Sequence, residues 1–181
     1  MIPKTLAAIL LIAMIGPIPT LLEASENSQF DSPNLRIRLS PRTAQQIAAF
    51  YEARGFGQTM LTEIKKYCFI TVYIRNKGKH ILWHDLNNWH FTANGKILQR
   101  IKRDQFKKLW ETMNIPLAHQ SIFRWTLLPE QLDFQPNEGE GGNIVLPWTN
   151  KGITIQAVFN SRERNSGKPI SVKLDDISCQ Q

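Results

Sequence analysis

Cys68-Phe69-Ile70-Thr71-Val72-Tyr73-Ile74-Arg75 decides the fold class of this chain. Cys68, Ile70, Val72 and Ile74 fall on every second position, with Thr71, Tyr73 and Arg75 between them. Side chains of a strand alternate between its two faces, so the stretch reads as a half-buried β-strand that carries Cys68 inward. Downstream, Asn76-Lys77-Gly78-Lys79 is a turn and His80 to Leu86 reads as the returning strand. Asn94-Gly95 is a two-residue hairpin signal that joins Trp89-His90-Phe91 to a strand over Ile97–Ile101.

The C-terminal end repeats the alternation with one interruption. Gly152–Asn160 and Pro169–Cys179 read as strands joined by the polar turn Ser161–Gly167. Ile170, Val172 and Leu174 occupy even positions, whereas Ile177 and Cys179 occupy odd ones. A strict period of two would send one set into water. An extra residue near Asp175-Asp176, a β-bulge, returns both sets to the inner face. Cys179 then points inward as Cys68 does, and these two cysteines are expected to form a disulfide in an oxidising compartment. A loop of that size stabilises by on the order of 4–5 kcal/mol in the chain-entropy account. There is no CxxC pair, so thiol-redox chemistry has no support.

On the N-terminal side, Leu35-Arg36-Ile37-Arg38-Leu39 alternates apolar and charged residues as a half-buried strand does. Ser40-Pro41 predicts a helix cap with proline at the first helical position. Ile47, Ala48, Phe50, Tyr51 and Ala53 would share one side of that helix, and Gly55 would stop it. A second helix, Gln58–Lys66, carries Met60, Leu61 and Ile64 inward. Further on, Asp104 is expected to cap a helix whose Phe106, Leu109, Trp110 and Met113 form an apolar stripe. Ser121–Leu128 reads as a strand with Phe123, Trp125 and Leu127 on one face, which places Trp110 and Trp125 in the core. Pro129–Asn143, rich in Gly, Glu and Asn, reads as a long loop.

About seven short strands separated by turn signals predict a mainly β chain. The expected architecture is an immunoglobulin-like or related antiparallel β-sandwich with two or three helical decorations. Such a fold hosts many functions and settles none.

The first residues set the compartment. Lys4 precedes the apolar run Leu6–Ile15, which Gly16, Pro17 and Pro19 break before Ala24. A charged start, a short apolar stretch and a broken small-residue region are the parts of a secretory signal peptide. The expected organisation is a cleaved signal over 1–24, a disordered polar segment over 25–33 and a single domain over 34–181. The protein is then periplasmic or secreted, with no transmembrane segment after cleavage. The net charge of +7 fits contact with anionic lipid headgroups, acidic glycans or acidic proteins. Nucleic acid is not expected in that compartment.

Candidate chemistry is sparse. His80, His84 and His90 lie close in sequence, and His84 with His90 are the metal candidates of a copper- or zinc-handling alternative. His80 and His84 share a strand face, but four residues of strand span about 13 Å, too far for one ion. Asp133, Asn137, Glu138, Glu140 and Asn143 are oxygen-rich, yet their spacing is not that of a calcium loop. No G-x-S-x-G elbow surrounds any serine. The chain is therefore read as a non-catalytic binding or accessory module with no cofactor. Arg100, Lys102, Arg103, Lys107 and Lys108 gather between a predicted strand and a helix. They are the candidate docking edge for an anionic lipid or an acidic protein surface, with Trp148 the exposed aromatic of the set.

Overall fold

Two antiparallel sheets and a layer of helices make up the computed structural model, which describes residues 28–161 and 168–180. The signal peptide expected over 1–24 lies outside the described residues, as does most of the Ser161–Gly167 turn. Sheet A contains β1 (Gln29–Asp31), β2 (Leu35–Arg42), β3 (Tyr67–Asn76) and β8 (Gly139–Pro147), side by side in that order. Sheet B contains β4 (Leu82–Asp85), β5 (His90–Ala93), β6 (Lys96–Ile97), β7 (Gln131–Phe134), β9 (Ile153–Ser161) and β10 (Ile170–Ile177). α1 (Ala44–Glu52) and α2 (Gln58–Ile64) lie between β2 and β3 in the chain; α3 (Arg103–Thr112) and α4 (Leu117–Thr126) lie between β6 and β7. The fold is thus mainly β, a sandwich of two antiparallel sheets, with four α-helices added among the described residues.

The alternation that predicted β3 does place Cys68, Ile70, Val72 and Ile74 in the core between the sheets. Leu35, Ile37 and Leu39 join them from β2, facing Ile153, Ile155, Ala157 and Phe159 of β9 and Val172 and Leu174 of β10. β9 is the axis of sheet B: β10 follows one edge, while β4 and β5 lie end to end along the other. A turn of 3₁₀ helix, Leu86–Asn88, separates β4 from β5. The segment after β3 therefore crosses to the other sheet and does not return beside β3, as the turn at Asn76–Lys79 suggested. Asn94 and Gly95 both have positive φ, the type I′ geometry that a two-residue hairpin requires. The strand they open stops at Ile97, so most of the strand expected over Ile97–Ile101 is irregular chain.

The bulge is where parity placed it. Pairing of β10 with β9 shifts register between Leu174 and Ile177, and Asp176 takes a φ of 58°. Ile177 is buried with Val172 and Leu174, and Cys179 is bonded to Cys68 with their Cα atoms 5.4 Å apart. The disulfide ties β3 of sheet A to the chain that leaves β10 of sheet B.

A second core lies on the other side of sheet A. Phe69 of β3 and Val145 of β8 point away from the sandwich into Ile47, Tyr51, Phe56, Met60, Ile64, Phe106, Trp110 and Phe123. β3 and β8 are consequently buried on both faces at this end. A strand of that kind reads as a continuous apolar run, as Ile144-Val145-Leu146 does.

Several expectations are corrected by this layer. Ser121–Leu128 is not a strand: the helix α4 begins at Leu117 behind Pro116, and only Phe123 of its side chains is buried. Leu117-Ala118-His119-Gln120 supplies the helical first turn that an alternation counted from Ser121 leaves out. Trp125 is 80% exposed as a result. The loop expected over Pro129–Asn143 contains β7 and the first part of β8. The segment expected to be disordered over 25–33 contributes β1, whose Gln29, Phe30 and Asp31 pair with Arg38, Ile37 and Arg36. Ser40-Pro41 continues β2; the helix starts two residues later, where Thr43 and Gln46 form a reciprocal capping box. Pro41 is tolerated because β1 ends opposite Arg38, leaving that part of β2 at an edge. Lys102 rather than Asp104 occupies the N-cap of α3, with Gln105 accepting from its backbone N–H.

Candidate functional site

The helices cover only one end of sheet A, and a cleft of about 530 Å³ opens where they stop. Its walls come from α1 (Gln46, Ile47, Phe50), from α4 (Trp125, Thr126) and from the sheet (Arg42, Thr71, Gly141, Gly142, Asn143). Each contribution follows from local structure. Register sets Thr71 opposite Asn143, and both lie on the outer face with Phe69 and Val145. Arg42 ends β2 on that same face, opposite Phe69. Trp125 protrudes because Phe123 fixes which side of α4 is inward.

The floor is a set of oriented hydrogen bonds. Arg42 Nε donates to Thr71 Oγ1 at 3.0 Å, and the Thr71 hydroxyl donates to Asn143 Oδ1 at 2.8 Å. Beside Asn143 lies the Tyr51 hydroxyl, 2.5 Å from Thr126 Oγ1. The Thr126 hydroxyl donates to the Phe123 carbonyl at 2.6 Å, so the Tyr51 hydroxyl must be the donor to Thr126. Burial pushes the Tyr51 hydroxyl up to about 12, against smaller opposing effects of Thr126, Asn143 and the Arg54 charge. It therefore stays protonated near neutral pH. The Nη groups of Arg42 make no hydrogen bond or ion pair among the described residues and remain available to a ligand.

Glycines keep this part of β8 bare. Tyr73 lies over Gly139, where a Cβ would collide with the tyrosine hydroxyl. A Cβ on Gly142 would come within 2.5 Å of the Leu128 backbone nitrogen, because Leu127-Leu128 runs along the edge of β8. Phe50 and Tyr73 are partly exposed around the opening, and the Arg54 guanidinium stacks on Phe50 at 3.5 Å. On the far side of Trp125, between α3 and α4, lies a second cleft of about 340 Å³. Arg103, Lys107, Leu117 and Arg124 line it.

The candidates read from sequence are distributed differently from expectation. Arg100 makes a two-pronged ion pair with Glu130, and its side chain is 8% exposed. Its charge is engaged within the fold, unlike the free docking cation expected. Arg103 Nη2 donates to the Leu127 carbonyl at 2.6 Å, and burial with the nearby Arg124 charge lowers its pKa. Lys102, Lys107 and Lys108 are exposed; Lys102 reaches Asn87 and Lys107 sits 3.7 Å from Glu111. Trp148 is exposed beyond the end of β8, but Trp125 is more so.

His80 and His90 are exposed, while His84 is buried against Trp89, Phe134 and Phe159. His84 Nε2 lies 3.1 Å from the Pro129 carbonyl, which fixes that nitrogen as the protonated one. Burial brings the imidazole down to about 4. His84 is thus a neutral core residue with His80 and His90 outside its packing, not an exposed edge histidine. No group of three or more His, Cys, Asp or Glu converges on a metal position among the described residues. In the oxygen-rich segment, Glu138 accepts from the Gln135 backbone and Asn143 from Thr71, so those two face different neighbours.

The cleft is hidden in the sequence because an alternation counted from Ser121 turns Trp125 inward, whereas α4 turns it out. The Thr43-Ala44-Gln45-Gln46 capping box and the run Ile144-Val145-Leu146 were the signals for its two walls.

No family model matches this chain, and no curated protein matches it. A solved structure from Bacillus subtilis, of a protein provisionally described as a lipoprotein, is similar over 84% of this chain at 10% identity and a TM-score of 0.46. The chain spans 38% of that protein's length. No residue role passes from it to this chain. Among the described residues, no helix is long and apolar enough to cross a membrane.

Proposed function

We propose that this protein is an exported binding module, without catalytic chemistry of its own, that holds an anionic ligand in the cleft beside Trp125. One observation carries the reading: a tryptophan 80% exposed on α4 faces a polar floor that starts from an arginine whose Nη groups are unpaired among the described residues. An aromatic face with a few convergent polar groups is the composition of a ligand site. A guanidinium fork suits a carboxylate or phosphate. The floor offers no poised acid or base, because Tyr51 is held protonated and the other floor groups are a guanidinium, an amide and hydroxyls. Export is supported by the broken apolar run before Ala24 and by the Cys68–Cys179 bridge, which an oxidising compartment maintains.

The test is a tryptophan-emission titration of the mature chain with a dimer of galacturonate and with its neutral counterpart. The charged dimer is expected to shift the emission and the neutral one to do so far less. Trp125→Ala should remove the shift while leaving the unfolding transition unchanged. No response to either dimer, or a response that survives in Trp125→Ala, would overturn the reading.

A further inference from the structure

The outer face of sheet A continues from the cleft toward its uncovered end, and there it is lined by arginine. Alternation puts Arg36, Arg38 and Arg42 of β2 on this face, with Arg75 of β3. Arg36 stands directly across from Arg75, and Arg38 across from Tyr73. Like charges directly opposite each other destabilise a sheet. Asp31 relieves part of this by pairing with Arg36 and Lys77, and those two cations hold its carboxyl below the usual range. It is the one carboxylate on this face among the described strand residues. Arg38 and Arg75 are exposed and make no ion pair among the described residues. From Arg36 to Arg42 the row is about 20 Å long at the usual strand rise. Beside the row, on β3, Tyr73 stands across from Arg38 and leans over Gly139 of β8, and Trp125 and Phe50 close the row's far end.

We infer that this row and the cleft form one track for an extended acidic polysaccharide, its carboxylates on the arginines and its sugar rings on Tyr73 and Trp125. The inference rests on the proposed cleft and extends it. Ring faces spaced between guanidinium forks suit a chain of charged rings, with the exposed arginines giving charge complementarity to it. An acidic peptide would instead gain most by adding a strand to a sheet edge. The edge of β8 is already taken by Leu128 and Ile101, whose N–H groups donate to the carbonyls of Asn143 and Val145. On the other side the sheet ends in β1, only three residues long, and the part of β2 that β1 leaves uncovered carries Pro41, which has no N–H to donate.

The experiment compares oligogalacturonates from the dimer upward, binding the mature chain at fixed ionic strength. A chain long enough to reach Arg38 and Arg75 should bind roughly a hundredfold more tightly than the dimer, as linked contacts act in concert. The double variant Arg38→Gln, Arg75→Gln should lose that gain and keep the dimer's affinity. If affinity is independent of length, or if the double variant keeps the gain, the track is overturned while the cleft stands. If the dimer itself fails to bind, the cleft reading falls and the track with it. Polyglutamate of equal charge, or vesicles of phosphatidylglycerol, binding as tightly as the long oligogalacturonate would also overturn the polysaccharide assignment.

Discussion

The two ends of sheet A's outer face are made by the same strands and serve opposite purposes. At one end Phe69 and Val145 are buried under α1, α2, α3 and α4. At the other, Arg38, Tyr73, Arg75 and Gly141 stand open to solvent. A strand carries no instruction about which of its faces will be covered; the residues at each position decide. Aromatic and branched side chains recruit a helical layer, whereas arginines and glycines repel one and leave the backbone accessible. The cleft proposed to bind the ligand lies where the two regimes meet, at Arg42, Thr71 and Asn143.

The covered end should be the costly one to disturb. Replacing Cys68 and Cys179 by serine unlinks the sheets at that end, and denaturant unfolding should register a loss on the order of 4–5 kcal/mol. Phe123→Ala leaves a hole among Tyr51, Phe69, Phe106 and Trp110 and should cost about 3–5 kcal/mol in the same measurement. On the open end, Arg38→Gln and Arg75→Gln should stay within about 0.5 kcal/mol of wild type. A destabilisation of the open end as large as that of Phe123→Ala would erase the distinction.

His84 sharpens the comparison from within the sandwich core. Its folded value of about 4 lies below the ordinary 6.5, so the unfolded chain takes up a proton first as pH falls. Stability should therefore be full above about pH 6.5 and decline toward about pH 4, by up to about 3 kcal/mol from this residue. His84→Gln does not titrate and keeps an N–H for the Pro129 carbonyl. Its stability curve should be flatter across that window; an unchanged curve would show that other groups govern it. Arg100→Glu, which faces Glu130 with a like charge, should destabilise the fold rather than only weaken docking.

The sandwich was legible in the sequence because its inner faces obey period two. Cys68, Ile70, Val72 and Ile74 announce β3, and the parity change between Leu174 and Ile177 announces the bulge that brings Cys179 inward. The helical layer was only half legible. Phe69 breaks the apolar–polar alternation, and its meaning depends on knowing that helices lie above it. The cleft was not legible, since Phe123, Trp125 and Leu127 fit a strand as well as they fit one buried helical position with two neighbours. Leu35-Arg36-Ile37-Arg38-Leu39 showed a charged face, but only the pairing of Arg36 with Arg75 aligns two strands' arginines into one surface.

Backbone amide shifts of the mature chain, followed by NMR as the galacturonate dimer is added, test the placement of the site most directly. The account predicts changes concentrated at Arg42, Thr71, Gly141, Gly142, Asn143 and the Trp125 indole. Changes centred instead on Lys102, Lys107 and Lys108, or spread over the surface without focus, would contradict it.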